Sequence, residues 1–370
     1  ASHHQKIVCI DDTLAFVGGL DITQRRWDSP EHNSHDHRRI DPSGKSYRPF
    51  HDIQMAVQGP AARALSQLAH ARWHRATNEW IPTLFPPIET QNSYWPKNLN
   101  VDFNDLPVAI SRTAPKYKGE KEIRENEKLF LDSINHAKKY IYIENQYFTS
   151  KRIAEALKKK LAMPDGPEII LLVPCQNTGA FEAGTMEVLR AKLLREMRKA
   201  DKFGRFFAYY PLTSDRKVPI NLHSKIFISD DHFLRVGSSN LNDRSTGVDT
   251  ECDISIEANG SELDQQVIRM NITRIRNRLL AEHLGLDISV IDHELRSNSL
   301  ISAIKNLNSK SQMLAHCPDK IPWIKDKLSI VAKIWDTPHP LTMMHVISPI
   351  IIILGLIIIA VLGSWEQKSA

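Results

Sequence analysis

Cysteine is scarce, with only Cys9, Cys175, Cys252 and Cys317 in 370 residues, far apart and without a CxxC pair. That spacing excludes a disulfide framework and a zinc knuckle and fits a reducing compartment. No basic segment followed by an apolar stretch marks a signal peptide. A concentrated basic tract with interleaved aromatics is also missing, so the formal net charge of +5 gives a general attraction to phosphate without marking a nucleic-acid-binding stripe. Hydrophobic residues at 42% and charged residues at 25% exclude disorder and fibrous repeats. The length suits two domains or one large two-lobed domain.

Along the chain, KIVCI and LAFVGG read as two strands joined at an Asp-Asp turn, and 27–49 as a long surface loop. A helix is predicted after Gly59-Pro60, and a second loop covers roughly 82–118. Strands and helices then alternate from 122 to 237, which indicates an α/β sandwich.

One internal similarity stands out. HHQKIVCIDDTLAFVGGLD at 3–21 and LHSKIFISDDHFLRVGSSN at 222–240 align without a gap. Two copies of one strand-turn-strand unit imply a duplication whose pseudo-two-fold axis brings them face to face. Residues i and i+2 of a strand share a face, so His4 with Lys6 and His223 with Lys225 each present an imidazole and an ammonium together. Attack on an anionic phosphodiester needs cations, a nucleophile and an acid for the leaving alkoxide, and the two HxK units supply all three. Each His needs a carboxylate to hold its tautomer. Asp52, 48 residues after His4, is assigned to His4, and Glu251, 28 residues after His223, to His223. Asp11 and Asp230, at the turns, read as structural.

Both copies resemble the HKD signature of the phospholipase D superfamily: HHQKIVCIDD, FVGGLDIT, RRWD and PFHD for the first half, IENQYF, HSKIFISDD, VGSSNLNDRS and GVDTE for the second. The resemblance runs from residue 3 to about 257. It implies a duplicated α/β/α sandwich with pseudo-two-fold symmetry, one active site between the lobes, and neither metal nor cofactor. It also implies that Gly19, Asp21, Ser238 and Asn240 line a phosphate pocket, and that His4 is the nucleophile and His223 the acid. A phospholipid is the implied substrate, cleaved through a phosphohistidine intermediate that water or an alcohol resolves. A cardiolipin-synthase-like transferase and a nuclease of the same superfamily are the alternatives, and no nucleic acid is expected as a partner. Only Ala1 and Ser2 precede His3, so the first lobe is expected to lack strands. ENQYF is placed at the rim of the site. The expected domains are a first lobe at 1–110, a second at 111–300, a linker at 301–344 and a membrane helix at 345–364.

His3, His32, His35, His37 and His70 lack paired ligand spacing and read as solvated rather than metal-binding. The run from Val346 to Gly363 is uncharged and long enough to cross about 30 Å of hydrocarbon, which reads as a transmembrane helix. Lys320, Lys325, Lys327 and Lys333 precede it and only Lys368 follows, so the positive-inside bias puts the catalytic part in the cytoplasm. Protease added outside intact spheroplasts should leave residues 1–300 undigested; digestion there would reverse the orientation.

Overall fold

The computed structural model describes residues 1–82, 95–176 and 180–319, together with 333, 336 and 337. In chain order the elements are β1 (Ile7–Ile10), β2 (Leu14–Gly18), β3 (Phe50–His51), β4 (Gln54–Gln58), α1 (Pro60–Thr77), β5 (Ala109–Ala114), β6 (Ile123–Arg124), α2 (Glu125–His136), β7 (Tyr140–Asn145), α3 (Lys151–Ala162), β8 (Glu168–Leu172), α4 (Ala180–Ala200), β9 (Phe206–Pro211), β10 (Asn221–Leu222), β11 (Lys225–Ser229), β12 (Phe233–Gly237), α5 (Asp243–Gly247), β13 (Glu251–Glu257), α6 (Glu262–Leu284), α7 (Ile288–Leu295), α8 (Leu300–Ser311) and β14 (Leu314–His316).

The fold is mixed α/β around a central sheet of nine strands in the order β14-β9-β8-β7-β11-β12-β13-β5-β6. Strands β7, β8 and β9 run parallel, and β11, β12, β13 and β5 pair antiparallel. Nearly continuous apolar strands such as YIYI follow from burial on both faces. Ile141 and Ile143 point into a layer with α3 and α4, while Tyr140 and Tyr142 point into a layer with α6, α7 and α8. A second sheet, β1-β2-β4, carries α1 on one side through Ala62 and Leu65 and packs against Cys252 and Ile254 of β13. Strand β3 pairs parallel with β10, joining the part that carries the first HxK unit to the part that carries the second.

Both repeat copies adopt the expected strand-turn-strand form. Asp11 and Asp230 take the left-handed conformation at the turns, with φ of 49° and 54°, a region that Asp tolerates better than most residues. The Asp230 carboxylate accepts hydrogen bonds from the backbone N–H groups of Lys138 (3.1 Å), Lys139 (2.7 Å) and Tyr140 (3.0 Å), anchoring the start of β7. Helix α6 begins with a capping box of Ser261 and Asp264 and ends at Gly285, whose φ of 60° closes the last turn carrying Glu282 and His283.

Two expectations are corrected, and a third falls outside the described residues. The supposed loop at 82–118 contains β5, because its alternating AISRTA pairs with β13; this strand also straddles the expected boundary at 110. The supposed linker from 301 contains most of α8 and all of β14, which extends the central sheet along β9. The helix is amphipathic, and Ile301, Ile304 and Leu307 bury its apolar side. The apolar run read as a membrane helix lies outside the described residues; among those residues no helix is long and apolar enough to cross a membrane.

Two leucines test the layering. Leu157 of α3 is 1% exposed and Leu263 at the start of α6 is 70% exposed. Leu157→Ala should lower the unfolding free energy by about 2–5 kcal/mol, whereas Leu263→Ala should stay within about 0.5 kcal/mol. Urea titrations of both variants read this directly, and equal losses would contradict the layer assignment.

Candidate active site

The first HxK unit lies just ahead of β1 and the second runs into β11, whose first residue is Lys225, and each is tied by its backbone to the other repeat's part of the chain. The backbone N–H of His4 donates to Thr250 O (3.1 Å), and that of His223 donates to His51 O (2.8 Å). The acceptors immediately precede Glu251 and Asp52. As a result the carboxylates are exchanged relative to the sequence expectation. His4 Nδ1 lies 2.9 Å from both oxygens of Glu251, and His223 Nδ1 lies 2.8 Å from Asp52 Oδ2. The assignments of Asp52 to His4 and of Glu251 to His223 are therefore corrected.

Strand register explains the exchange. Gly18 pairs with Gln54 and Gly237 with Asp253, and each acid stands two residues before its strand's partner residue. Both acids thus sit where their strands begin, at the junction with the opposite HxK unit. Because a carboxylate takes Nδ1 of each imidazole, Nε2 is the nitrogen left for chemistry.

The lysines stand beside their histidines. Lys6 Nζ donates to His4 O (2.7 Å) and pairs with Asp21 Oδ1 at 3.2 Å. Lys225 Nζ donates to His223 O and to Gln146 Oε1, the latter at 3.1 Å. Gln146 therefore meets the expectation that ENQYF contributes to the site, although Glu144 of the same segment is wholly buried.

The proposed phosphate-pocket residues divide. The hydroxyl of Ser238 donates to Glu251 Oε2 (2.5 Å) and accepts from the backbone N–H of Cys252 (3.0 Å), so it braces the acid that holds His4. Gly19 donates its N–H to Ile53 O (3.1 Å), and a Cβ there would meet Asp52 Oδ1 at 2.2 Å. Its position leaves room for the carboxylate beside His223, equivalent to the place Ser238 takes beside Glu251. In the structure Ser238 supports one acid by a hydrogen bond and Gly19 supports the other by leaving it space. Asp21 offers an anion between Lys6 and Arg26, the latter at 3.4 Å. Asn240 is buried, and its Oδ1 has no hydrogen-bond partner among the described residues.

Burial dominates the electrostatics. It pushes the His223 imidazole down to about 4, reinforced by the Lys225 ammonium and opposed by Asp52. Burial likewise brings Lys225 down to about 7, with Lys6 adding to the shift while Asp52, Glu251 and Asp21 oppose it. Burial works upward on Asp21, but Lys6, His223 and Arg26 outweigh it and hold that carboxyl below its ordinary range. The two HxK units share one electrostatic environment.

Behind Asp52 and His223 lies a buried polar cluster that the sequence reading missed. His51 Nε2 bonds Glu144 Oε2 (2.8 Å) and its Nδ1 bonds Glu282 Oε1 (2.7 Å). His32 bonds Glu282 through Nε2 and Asp28 through Nδ1, both at 2.9 Å, and His283 Nε2 bonds Glu144 Oε1 at 2.9 Å. His32 is only 3% exposed, which corrects its reading as solvated: ion pairs with Asp28 and Glu282 allow it to be buried. The sets His32, His51 and Glu282 and His51, Glu144 and His283 could each hold a metal ion, since their ligand atoms lie within 4.8 Å of one another. A His beside Asp52 and an adjacent Glu-His pair near the end of α6 were the available sequence signals, but nothing in their spacing joins residues 51, 144 and 282.

A titrating lysine at the site predicts pH-dependent anion binding. Lys225 is charged below about pH 7 and loses its proton above it, so affinity for a phosphodiester monoanion should fall as pH rises. Calorimetry with diethyl phosphate, whose charge is constant across this range, should show a roughly tenfold weakening between pH 6 and 8.5. Lys225→Arg, which stays protonated, should give a shallower fall, leaving only the part contributed by His223. A flat wild-type profile would remove Lys225 from the anion site.

Family models add independent findings. The family described as phospholipase D matches residues 1–162, and that described as cardiolipin synthase, PLD-like domain, matches residues 130–270. Phospholipase D A of Dictyostelium discoideum is 26% identical over 381 residues, covering 81% of this chain and 28% of that protein. Phospholipase D alpha 2 of Arabidopsis thaliana is 24% identical over 407 residues, covering 79% and 50% respectively. The chain spans half or less of the length of these relatives. The solved phosphatidylserine synthase of Haemophilus influenzae has 15% identity and a TM-score of 0.47, with 84% of this chain and 68% of that one covered. The overlapping family matches each contain one of the two HxK units, and the chain belongs to the phospholipase D superfamily.

Proposed function

We propose that this chain carries the active site of a phospholipase D type phosphodiesterase and phosphatidyltransferase acting on glycerophospholipids. The observation that carries the reading is the pair of crossed His–carboxylate contacts, His4 with Glu251 and His223 with Asp52, each beside a lysine. Relatives named phospholipase D support the lipid substrate. The match to the cardiolipin synthase description favours transfer to an alcohol as a second reading, served by the same residues.

In this mechanism Lys6 and Lys225 offset the charge of the phosphodiester while His4 Nε2 attacks phosphorus. A P–N bond forms, the P–O bond to the head group breaks, and His223 gives its proton to the departing oxygen. Water or an alcohol then attacks the phosphohistidine and loses a proton to His223; the new P–O bond forms as the P–N bond breaks. Glu251 holds the nucleophile in its reactive tautomer, and Asp52 stabilises the imidazolium of the acid. His223 is neutral before substrate arrives, since burial lowers its pKa. The bound phosphodiester's negative charge draws it upward into the range where it can act as acid. The assignment of His4 as nucleophile follows the superfamily resemblance, as do a pseudo-two-fold relation between the repeats and a phospholipid membrane as partner. The C-terminal apolar run would anchor the chain with its catalytic part in the cytoplasm.

Acid quench during turnover, followed by peptide mapping, tests the roles. With a substrate whose leaving group needs no proton, His223→Ala and Asp52→Asn should still form an adduct on the peptide containing His4 and resolve it slowly. Glu251→Gln should depress its formation by about 10²-fold or more. Phosphate on His223, with His4 unmodified, would reverse the assignment.

A further inference from the structure

The two crossed pairs are not equally supported. Thr250, which precedes Glu251, meets His3 Nδ1 (2.9 Å) and Arg72 (3.3 Å), and Gln5, which follows His4, reaches Glu251 O (3.1 Å), all in partly exposed surroundings. The corresponding residues around the other pair are His51, preceding Asp52, and Ser224, following His223. Both are buried, and both end on one oxygen: His51 Nε2 lies 2.8 Å and Ser224 Oγ 2.6 Å from Glu144 Oε2.

Neighbouring residues of an extended chain point to opposite sides. Asp52 and His223 therefore face the site while His51 and Ser224 face away from it, toward β7. One carboxylate behind the strands thus holds both residues flanking the Asp52–His223 contact, and the bond from His223 N to His51 O completes the frame. The second oxygen, Glu144 Oε1, accepts from Tyr142 OH (2.5 Å) and His283 Nε2 (2.9 Å).

Hydrogen bonding also fixes the charge state. Both ring nitrogens of His51 face carboxylate oxygens, so both must donate and the ring is an imidazolium. The same holds for His32, between Asp28 and Glu282. Arg39, 2.8 Å from Asp28, supplies a third cation. Three cations then face the carboxylates of Asp28, Glu144 and Glu282, and each His–carboxylate contact is a donor–acceptor pair of 2.7–2.9 Å. Protons account for this cluster more simply than metal ions do. The pKa directions agree: burial opposes charge on His51 and His32, yet the carboxylates outweigh it and raise both.

We propose that Glu144, with His51 held as an imidazolium between Glu144 and Glu282, is a positioning residue that fixes Asp52 and His223 at bonding distance. The inference rests on the functional reading above, in which His223 gives and then takes a proton at one fixed place. Gln at 144 keeps the volume but turns an N–H₂ group toward groups that donate to it now, so the frame must open.

The test uses the full chain, with Glu144→Gln, Ser224→Ala, Asp52→Asn and the double variant Glu144→Gln/Asp52→Asn, assayed on phosphatidylcholine vesicles with ethanol as acceptor. Glu144→Gln should lower kcat about 10–100-fold with KM unchanged, and Ser224→Ala by about threefold or more. In the Asp52→Asn background, Glu144→Gln should cost less than about threefold, because the contact it positions is already gone. Multiplicative losses in the double variant would overturn the proposal and leave Glu144 as general scaffolding. Imidazole ¹⁵N spectra at pH 8 supply a readout without turnover. His51 should show two protonated nitrogens, and the His223 Nδ1–H signal should move in Ser224→Ala, which removes one hydroxyl and tests the frame even if Glu144→Gln fails to fold. A neutral His51, or a His223 signal unmoved by Ser224→Ala, would also overturn it. Wild-type protein inactive on phosphodiesters would instead refute the functional reading, with the spectra still judging the frame.

Discussion

His4 and His223 each donate a backbone N–H to a residue that immediately precedes an acid, and the acids belong to the opposite repeats. Everything at the site depends on those two backbone bonds. They hold each imidazole against a carboxylate that its own repeat could not bring to it, since Asp52 and Glu251 stand at the starts of strands that pair with β2 and β12. Separating the repeats would strip both imidazoles of their acids. A hydrogen bond to a charged group is worth about 1.5–3 kcal/mol, and a buried group left without its partner costs a comparable amount. The interface is thus stabilised by the same contacts that prepare the imidazoles for chemistry.

Charge burial separates the two pairs in character. Lys225 and His223 sit where burial works against both of their charged forms, so an arriving anion is received by groups with little water to displace. The His4 side is more open, with that side chain 26% exposed. Behind His223 the balance is reversed: Glu144 and His51 are buried as ions, with the partly exposed Glu282 beside them, each engaged by more than one partner. Such a cluster is stable only when complete, because removing one member leaves an uncompensated charge in a poor solvent. It ties β7, α6, the loop carrying Asp28 and His32, and the strand carrying His51 into one unit.

The amino-acid sequence by itself determined the local chemistry and much of the local structure. The HxK spacing, the Asp turns, the apolar runs of β7, β8 and β11 and the helices α1 to α4 follow from alternation, helical periodicity and turn residues, all properties of a few adjacent positions. The repeat also brought the two HxK units and both acids into one candidate site. Tertiary structure alone decided which acid serves which imidazole. Sequence spacing suggested that an acid serves the histidine upstream of it, but strand pairing across the repeats crosses them. The same limit hid Glu144, His51, Glu282 and His283: their meeting is set by how β7, β3 and α6 pack, and no local pattern encodes a distance of 2.8 Å between residues 51 and 144. Ser238 and Gly19 likewise carried a motif in the sequence, yet only the packed strands showed that Ser238 bonds Glu251 and that Gly19 leaves room for Asp52.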